Sequence, residues 1–182
     1  MAKTALVPIA DGTEEMEAVT IINVLRRGGV QVTAASVSGR TVTGSRSVTL
    51  SADRLIGDCL DQTYDLIALP GGMPGAEHLR DCKPLVEMLK KQKKEGRLIA
   101  AICASPAVAL AAHGLLDDCK ATGYPSMVEQ LPQKGEGRVV TDGNCVTSQG
   151  PATAIDFALE LVRILRGQTI AGQVAKAMLA KF

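Results

Sequence analysis

The 182-residue chain predicts an α/β fold: a mainly parallel sheet with helices on both faces. Near-continuous apolar runs of strand length alternate with segments of helical period, and glycine-rich turns follow several of the runs. Apolar residues make up 46% of the chain and aromatics 2%, so the core is built from Ala, Val, Leu and Ile.

"TALVPIA" at 4–10 reads as a buried strand. "EEMEAVTIINVLRRGG" at 14–29 then places Met16, Val19, Ile22 and Leu25 at helical spacing before a glycine stop. "VQVTAASV" at 30–37 is a second strand, and "RTVTGSRSVTLSAD" at 40–53 is a hairpin about a Gly-Ser turn. "YDLIALPGG" at 64–72 is a strand ending in a glycine loop, with a helix expected at 82–95. A strand at 97–102 leads through Cys103 into a helix at 105–113. "CKATGYP" at 119–125 reads as a short strand, and "RVVTDGNCVTSQG" at 138–150 as a hairpin turning at Asp142-Gly143. Two helices close the chain, at 151–167 with Pro at its start and Gly at its end, and at 168–180. Residues 1–182 read as one domain, without repeat or linker.

Twenty basic and nineteen acidic residues leave a formal charge of +1, and "KKQKKEGR" at 90–97 reads as a Lys-rich helix end. That balance gives no electrostatic case for nucleic acid or membrane. The N-terminus has the pattern of neither a signal nor a transit peptide, so a cytoplasmic protein is expected. Five widely spread cysteines, without C-x-x-C spacing, are expected as free thiols and not as zinc ligands.

In parallel α/β sheets, ligands bind outside the carboxyl ends of the strands. Three segments fall there: "ADGTEEME", "PGGMPGAEH" and "CASP". Cys103 occupies a strand-to-helix elbow, where a helix N-terminus is expected to lower a thiol's pKa. On position alone it is either a reactive thiol or a small buried hydrophobe; Ala101, Ala104 and Ser105 leave room for a sharp turn. The glycines of "PGG" at 70–72, Gly71 and Gly72, form an ordinary turn or, with the Ala104 N–H, present backbone donors beside the thiol. Glu14, Glu15 and Glu17 suit the first turn of a helix; Glu17 is the one expected to tilt toward the strand ends while Glu15 stays in water. His113 is ten residues past Cys103 on the same expected helix, about 15 Å along its axis, too far to be its partner. His78 reads as a surface residue or one near the pocket.

"ALVPIADGTEEMEAV", "LPGGMPGAE", "AAICASPA" and "TSQGPATAIDFAL" resemble, in order and nearly end to end, the ThiJ/PfpI superfamily, in the branch of the Parkinson disease protein seven and its bacterial homologues. The resemblance implies a flavodoxin-like sandwich, a homodimer and an oxidation-prone elbow cysteine, which carries over to Cys103. It implies Glu17 as the protonated glutamate bonded to that sulfur, and the backbone of Gly71, Gly72 and Ala104 as the oxyanion site. Arg46 and Arg27 match basic residues near the family's pocket and dimer interface. Tyr124 stands in "TGYP" where several members have histidine, which argues against peptidase activity. The activity implied needs no cofactor or metal: a glyoxalase III-type conversion of methylglyoxal to lactate, with deglycation of protein or nucleotide adducts as a related hydrolase activity. The alternative implied is a redox-sensing chaperone that signals through a Cys103 sulfinate.

Overall fold

The computed structural model describes residues 2–181. Its central sheet has seven strands: β1 (Thr4–Ile9), β2 (Gln31–Ser36), β5 (Arg54–Leu55), β6 (Leu66–Leu69), β7 (Leu98–Ile102), β8 (Val139–Asp142) and β9 (Cys145–Ser148). Their order is β5-β2-β1-β6-β7-β9-β8, all neighbours parallel except the β8–β9 hairpin. The chain runs outward from β1 to β2 and β5, then returns to β6 on the other side of β1. Strand order therefore reverses between β1 and β6, which opens a crevice at their carboxyl ends. A separate antiparallel pair, β3 (Thr41–Thr43) and β4 (Thr49–Ser51), is the expected hairpin.

Alternate residues of the central strands enter opposite core layers. Ala5, Val7, Ile9, Leu66, Ala68, Leu98, Ala100 and Ile102 pack under α1 (Glu15–Arg27), α4 (Ala154–Arg166) and α5 (Gln168–Ala177). Leu6, Ile67, Leu69, Ile99 and Ala101 face α2 (Gly75–Asp81), α3 (Lys83–Lys94) and the segment after β7. Strands buried on both faces have no polar side to show, which is why they read as unbroken apolar runs.

Several expectations are corrected. In α1 the core face is Ala18, Ile21, Val24 and Leu25, while Met16 and Val19 are 61% and 48% exposed. The helix expected at 105–113 is a π-turn over Pro106–Leu110 running into a 3-10 turn over Ala111–His113. "CKATGYP" makes a single bridge, Ala121 with Lys134, and not a strand. The glycine loop after β6 contains the short helix α2, which its Gly and Pro content concealed.

Candidate active site

The β1–α1 loop, the "PGGMPG" loop after β6 and the elbow after β7 meet at the crevice. Cys103 has φ of 64°, the left-handed region that a side chain with a Cβ seldom adopts. That conformation breaks the strand's alternation, so Cys103 packs in the same core layer as its neighbour Ile102. The strained peptide is held from both sides: its N–H donates to Ser148 O at 3.0 Å, and its carbonyl accepts from Tyr124 N at 2.7 Å. Behind it, Ser105 Oγ donates to Pro70 O at 2.5 Å, tying elbow to glycine loop.

Glycine is required at 71 because a Cβ there would lie 2.7 Å from Cys103 Cβ. At 72 φ is +89°, and a Cβ would meet Glu14 N at 2.3 Å. The loop thus lies directly against both the thiol and the start of α1, and Glu14 N donates to Gly71 O at 2.8 Å.

Glu14 caps α1, its Oε2 accepting the Glu17 N–H at 2.7 Å. This orients the first turn so that Glu17 is fully buried, its Oε2 accepting Gly71 N–H at 2.7 Å. Oε1 has no hydrogen-bond partner among the described residues, and the Cys103 sulfur lies beside the carboxyl. Burial pushes Glu17 up to about 7; the Gly71 and Cys103 bonds oppose the rise, and the Glu14 charge adds to it. Burial first, then the Glu17 charge, push the Cys103 thiol up to about 12, against the N–H groups of Gly72 and Ala104 that favour the thiolate. This corrects the expected lowering of the thiol's pKa: desolvation and a buried carboxyl beside the sulfur outweigh the backbone donors. Two anions cannot coexist there, so the pair loses one proton near 7 and holds the other to about 12.

Cys103, Glu17, Gly72 and Ala104 therefore come together. The Gly71 N–H is taken by Glu17 and is not free for an oxyanion. Glu15, expected in water, is buried: its carboxylate accepts from Arg46 N at 2.9 Å, Ser45 Oγ at 3.2 Å and Val48 N at 3.4 Å, holding the β3–β4 turn. Arg46 contributes that backbone N–H; its exposed guanidinium donates to Ser45 O. Arg27 lies at the far end of α1, ten residues and about 15 Å from Glu17, bonded to Asn23 and lining a surface cleft with Gly28 and Arg166. It does not reach the thiol. Tyr124 touches the elbow through its backbone, while its 45%-exposed side chain lies over Gly150. His78 Nδ1 meets Asp11 O at 2.9 Å and His113 Nε2 meets Arg80 O at 2.8 Å, so both imidazoles are engaged away from Cys103. Among the described residues no cluster of three or more His, Cys, Asp or Glu is placed to hold a metal ion, and no helix is long and apolar enough to cross a membrane.

A flavodoxin-like sandwich with a buried carboxyl against a strained elbow cysteine defines a recognisable class of α/β protein. The chain belongs to the DJ-1/PfpI family, whose sequence profile matches residues 3–164. It is 48% identical over 184 residues to Protein DJ-1 homolog A of Arabidopsis thaliana, covering 98% of this chain and 47% of that protein, so it spans about half the length of that relative. It is 38% identical over 169 residues to the glutathione-independent glyoxalase DJR-1.2 of Caenorhabditis elegans, covering 91% of this chain and 90% of that protein. The solved structure of oxidized Toxoplasma gondii DJ-1 superposes with a TM-score of 0.98 at 49% identity, each chain covered over 100%.

Proposed function

We propose that the protein is a glutathione-independent glyoxalase that converts methylglyoxal to lactate with Cys103 as nucleophile and Glu17 as proton carrier. The observation that carries this reading is the orphaned Glu17 Oε1 beside a sulfur that faces two backbone donors. Between about 7 and 12 the pair holds one proton. Placed on Oε1, that proton gives the orphan atom a bond to sulfur, while Gly72 and Ala104 N–H groups bear on the thiolate. Placed on sulfur, it leaves a buried carboxylate with one backbone donor.

The thiolate adds to the aldehyde carbon, and Glu17 delivers its proton to the new alkoxide, giving a neutral hemithioacetal. The Glu17 carboxylate then removes the hydrogen from that carbon and returns it to the neighbouring carbon through an enediol, leaving a lactoyl thioester. Water hydrolyses the thioester to lactate and restores the thiolate; one of its protons returns to Glu17 and the other leaves to solvent. The Gly72 and Ala104 donors, aimed at sulfur, stabilise oxyanions on the carbon bonded to it. Access suits a small carbonyl, since Cys103 is 8% exposed; deglycation would use the same addition on a larger adduct. Methylglyoxal loss and lactate formation by purified protein without glutathione test the reading. Cys103→Ser is expected to abolish both, and turnover retained by that variant contradicts it.

A second reading, redox sensing through a Cys103 sulfinate, is favoured by the relative solved in an oxidized form. The same Glu17 O–H and backbone N–H groups would bond sulfinate oxygens. A homodimer is proposed from the apolar edge left by Met16 and Val19 on α1 and Val48 on the hairpin, each near half exposed or more. Sedimentation at micromolar concentration tests it, and a monomer contradicts it.

A further inference from the structure

We propose that Cys119 and Cys145 form a second redox centre, closing to an intramolecular disulfide when the folded protein meets peroxide. The two lie in the same core layer, opposite the one that holds Cys103, and are 6% and 1% exposed. Backbone contacts set the segment carrying Cys119 against the hairpin carrying Cys145. Lys120 N donates to Asp142 Oδ2 at 2.8 Å, Thr122 N donates to Thr147 Oγ1 at 2.9 Å, and Asp142 is the strand partner of Cys145. The two thiols lie within hydrogen-bonding reach of one another, which lowers Cys119 and raises Cys145, and Cys119 also donates to Leu116 O at 3.8 Å.

Exposure gives the pair its direction. Cys119 is 6% exposed and Cys145 1%, so Cys119 is the attacking sulfur and Cys145 the resolving one. From α3, Lys93 donates to Leu115 O at 2.6 Å and pairs with Asp118; its charge favours a Cys119 thiolate, against the carboxylates of Asp118 and Asp142. The Cys119 sulfur attacks a peroxide oxygen, the O–O bond breaks, and the thiol's proton leaves with the departing oxygen as water, giving a sulfenic acid. The Cys145 sulfur then attacks Cys119 Sγ as its proton departs with the hydroxyl as a second water. Two electrons pass from the thiols to one hydrogen peroxide. Of the remaining thiols, Cys59 donates to Leu55 O at 3.6 Å, and Cys82 stands at the N-cap position of α3 without a side-chain cap bond.

The disulfide would bear on the elbow. The chain leaving Cys119 reaches Tyr124, whose N–H holds the Cys103 carbonyl, and β9 begins at Cys145 and ends at Ser148, whose carbonyl holds the Cys103 N–H. A bond between 119 and 145 staples together the two segments that clamp the strained peptide.

The 182-residue Cys103→Ser variant keeps four of the five cysteines. Hydrogen peroxide is expected to lower its free-thiol count by two, and non-reducing peptide mapping to show a 119–145 crosslink reversed by dithiothreitol. In the same background, Cys145→Ala is expected to leave Cys119 as a sulfenic acid that dimedone traps. The proposal is overturned if all four thiols remain titratable, if the crosslink involves Cys59 or Cys82, or if 119–145 forms only after unfolding in urea.

Discussion

Glu15 and Glu17 stand two residues apart in the first turn of α1, both buried, and their carboxyls behave in opposite ways. Burial alone would raise both. Glu15 nevertheless lies below the ordinary carboxylate range, because its own backbone N–H, those of Val48 and Arg46, and the Ser45 hydroxyl all donate to it. Glu17 has one backbone donor and a sulfur, and rises to about 7. Glu15 lies under a turn rich in donors and Glu17 deep beside a sulfur, and the two differences together decide which carboxyl stays ionised and which is available to carry a proton.

Removing the proton carrier should have the largest effect. Glu17→Gln can still donate a hydrogen bond to sulfur but cannot shuttle a proton, so methylglyoxal turnover is expected to fall roughly 100-fold or more. Wild-type turnover in that variant would reduce Glu17 to a helix-stabilising residue.

The next effect is on stability against pH. Folded, the Glu17–Cys103 pair sheds its first proton only near 7, above the 4.5 of an unfolded glutamate, so the stability it contributes is intact below 4.5 and is lost as pH rises through about 7. At about 1.4 kcal/mol per pKa unit the loss is on the order of 3 kcal/mol. Urea melts from about pH 4 to 8 should show this decline in the wild type and a flatter profile in Glu17→Gln; identical profiles would show that the pair sheds no proton near 7.

Glu15→Ala should act on the fold and not the chemistry. It leaves the Arg46 and Val48 N–H groups without their acceptor, a cost of about 2 kcal/mol. Hydrogen exchange should quicken at residues 44–48, and unchanged exchange there would contradict the clamp. Smallest of all, Arg46→Ala should shift stability by less than about 0.5 kcal/mol, because Glu15 is held by the backbone of residue 46 and not its guanidinium. A larger loss would assign the guanidinium a role in the clamp.

The sheet and the elbow were legible because both are local. Strands covered on two faces must be apolar throughout, and an apolar run ending in Cys-Ala-Ser-Pro admits a sharp turn. Helix α2 was hidden because "PGGMPGAEH" has turn composition, although Gly75 and Ala76 are helical. The π-turn after Ser105 replaces i→i−4 bonds with i→i−5 bonds, a change that an apolar pattern over five residues does not register. Glu15 was misread because its donors lie some thirty residues away, on a turn whose free N–H groups needed an acceptor that only the tertiary fold supplies. The thiol's raised pKa depended likewise on how deeply Glu17 is buried, which periodicity does not report.

The central claim is that the one proton shared by Glu17 and Cys103 sits on the carboxyl. Infrared difference spectroscopy of wild type against Glu17→Gln at about pH 9, between the two ionisations of the pair, reads this directly. A protonated carboxylic acid carbonyl band in the wild type, absent from Glu17→Gln and lost in Cys103→Ala, is the predicted result. A difference spectrum containing only carboxylate bands would place the proton on sulfur and contradict the account.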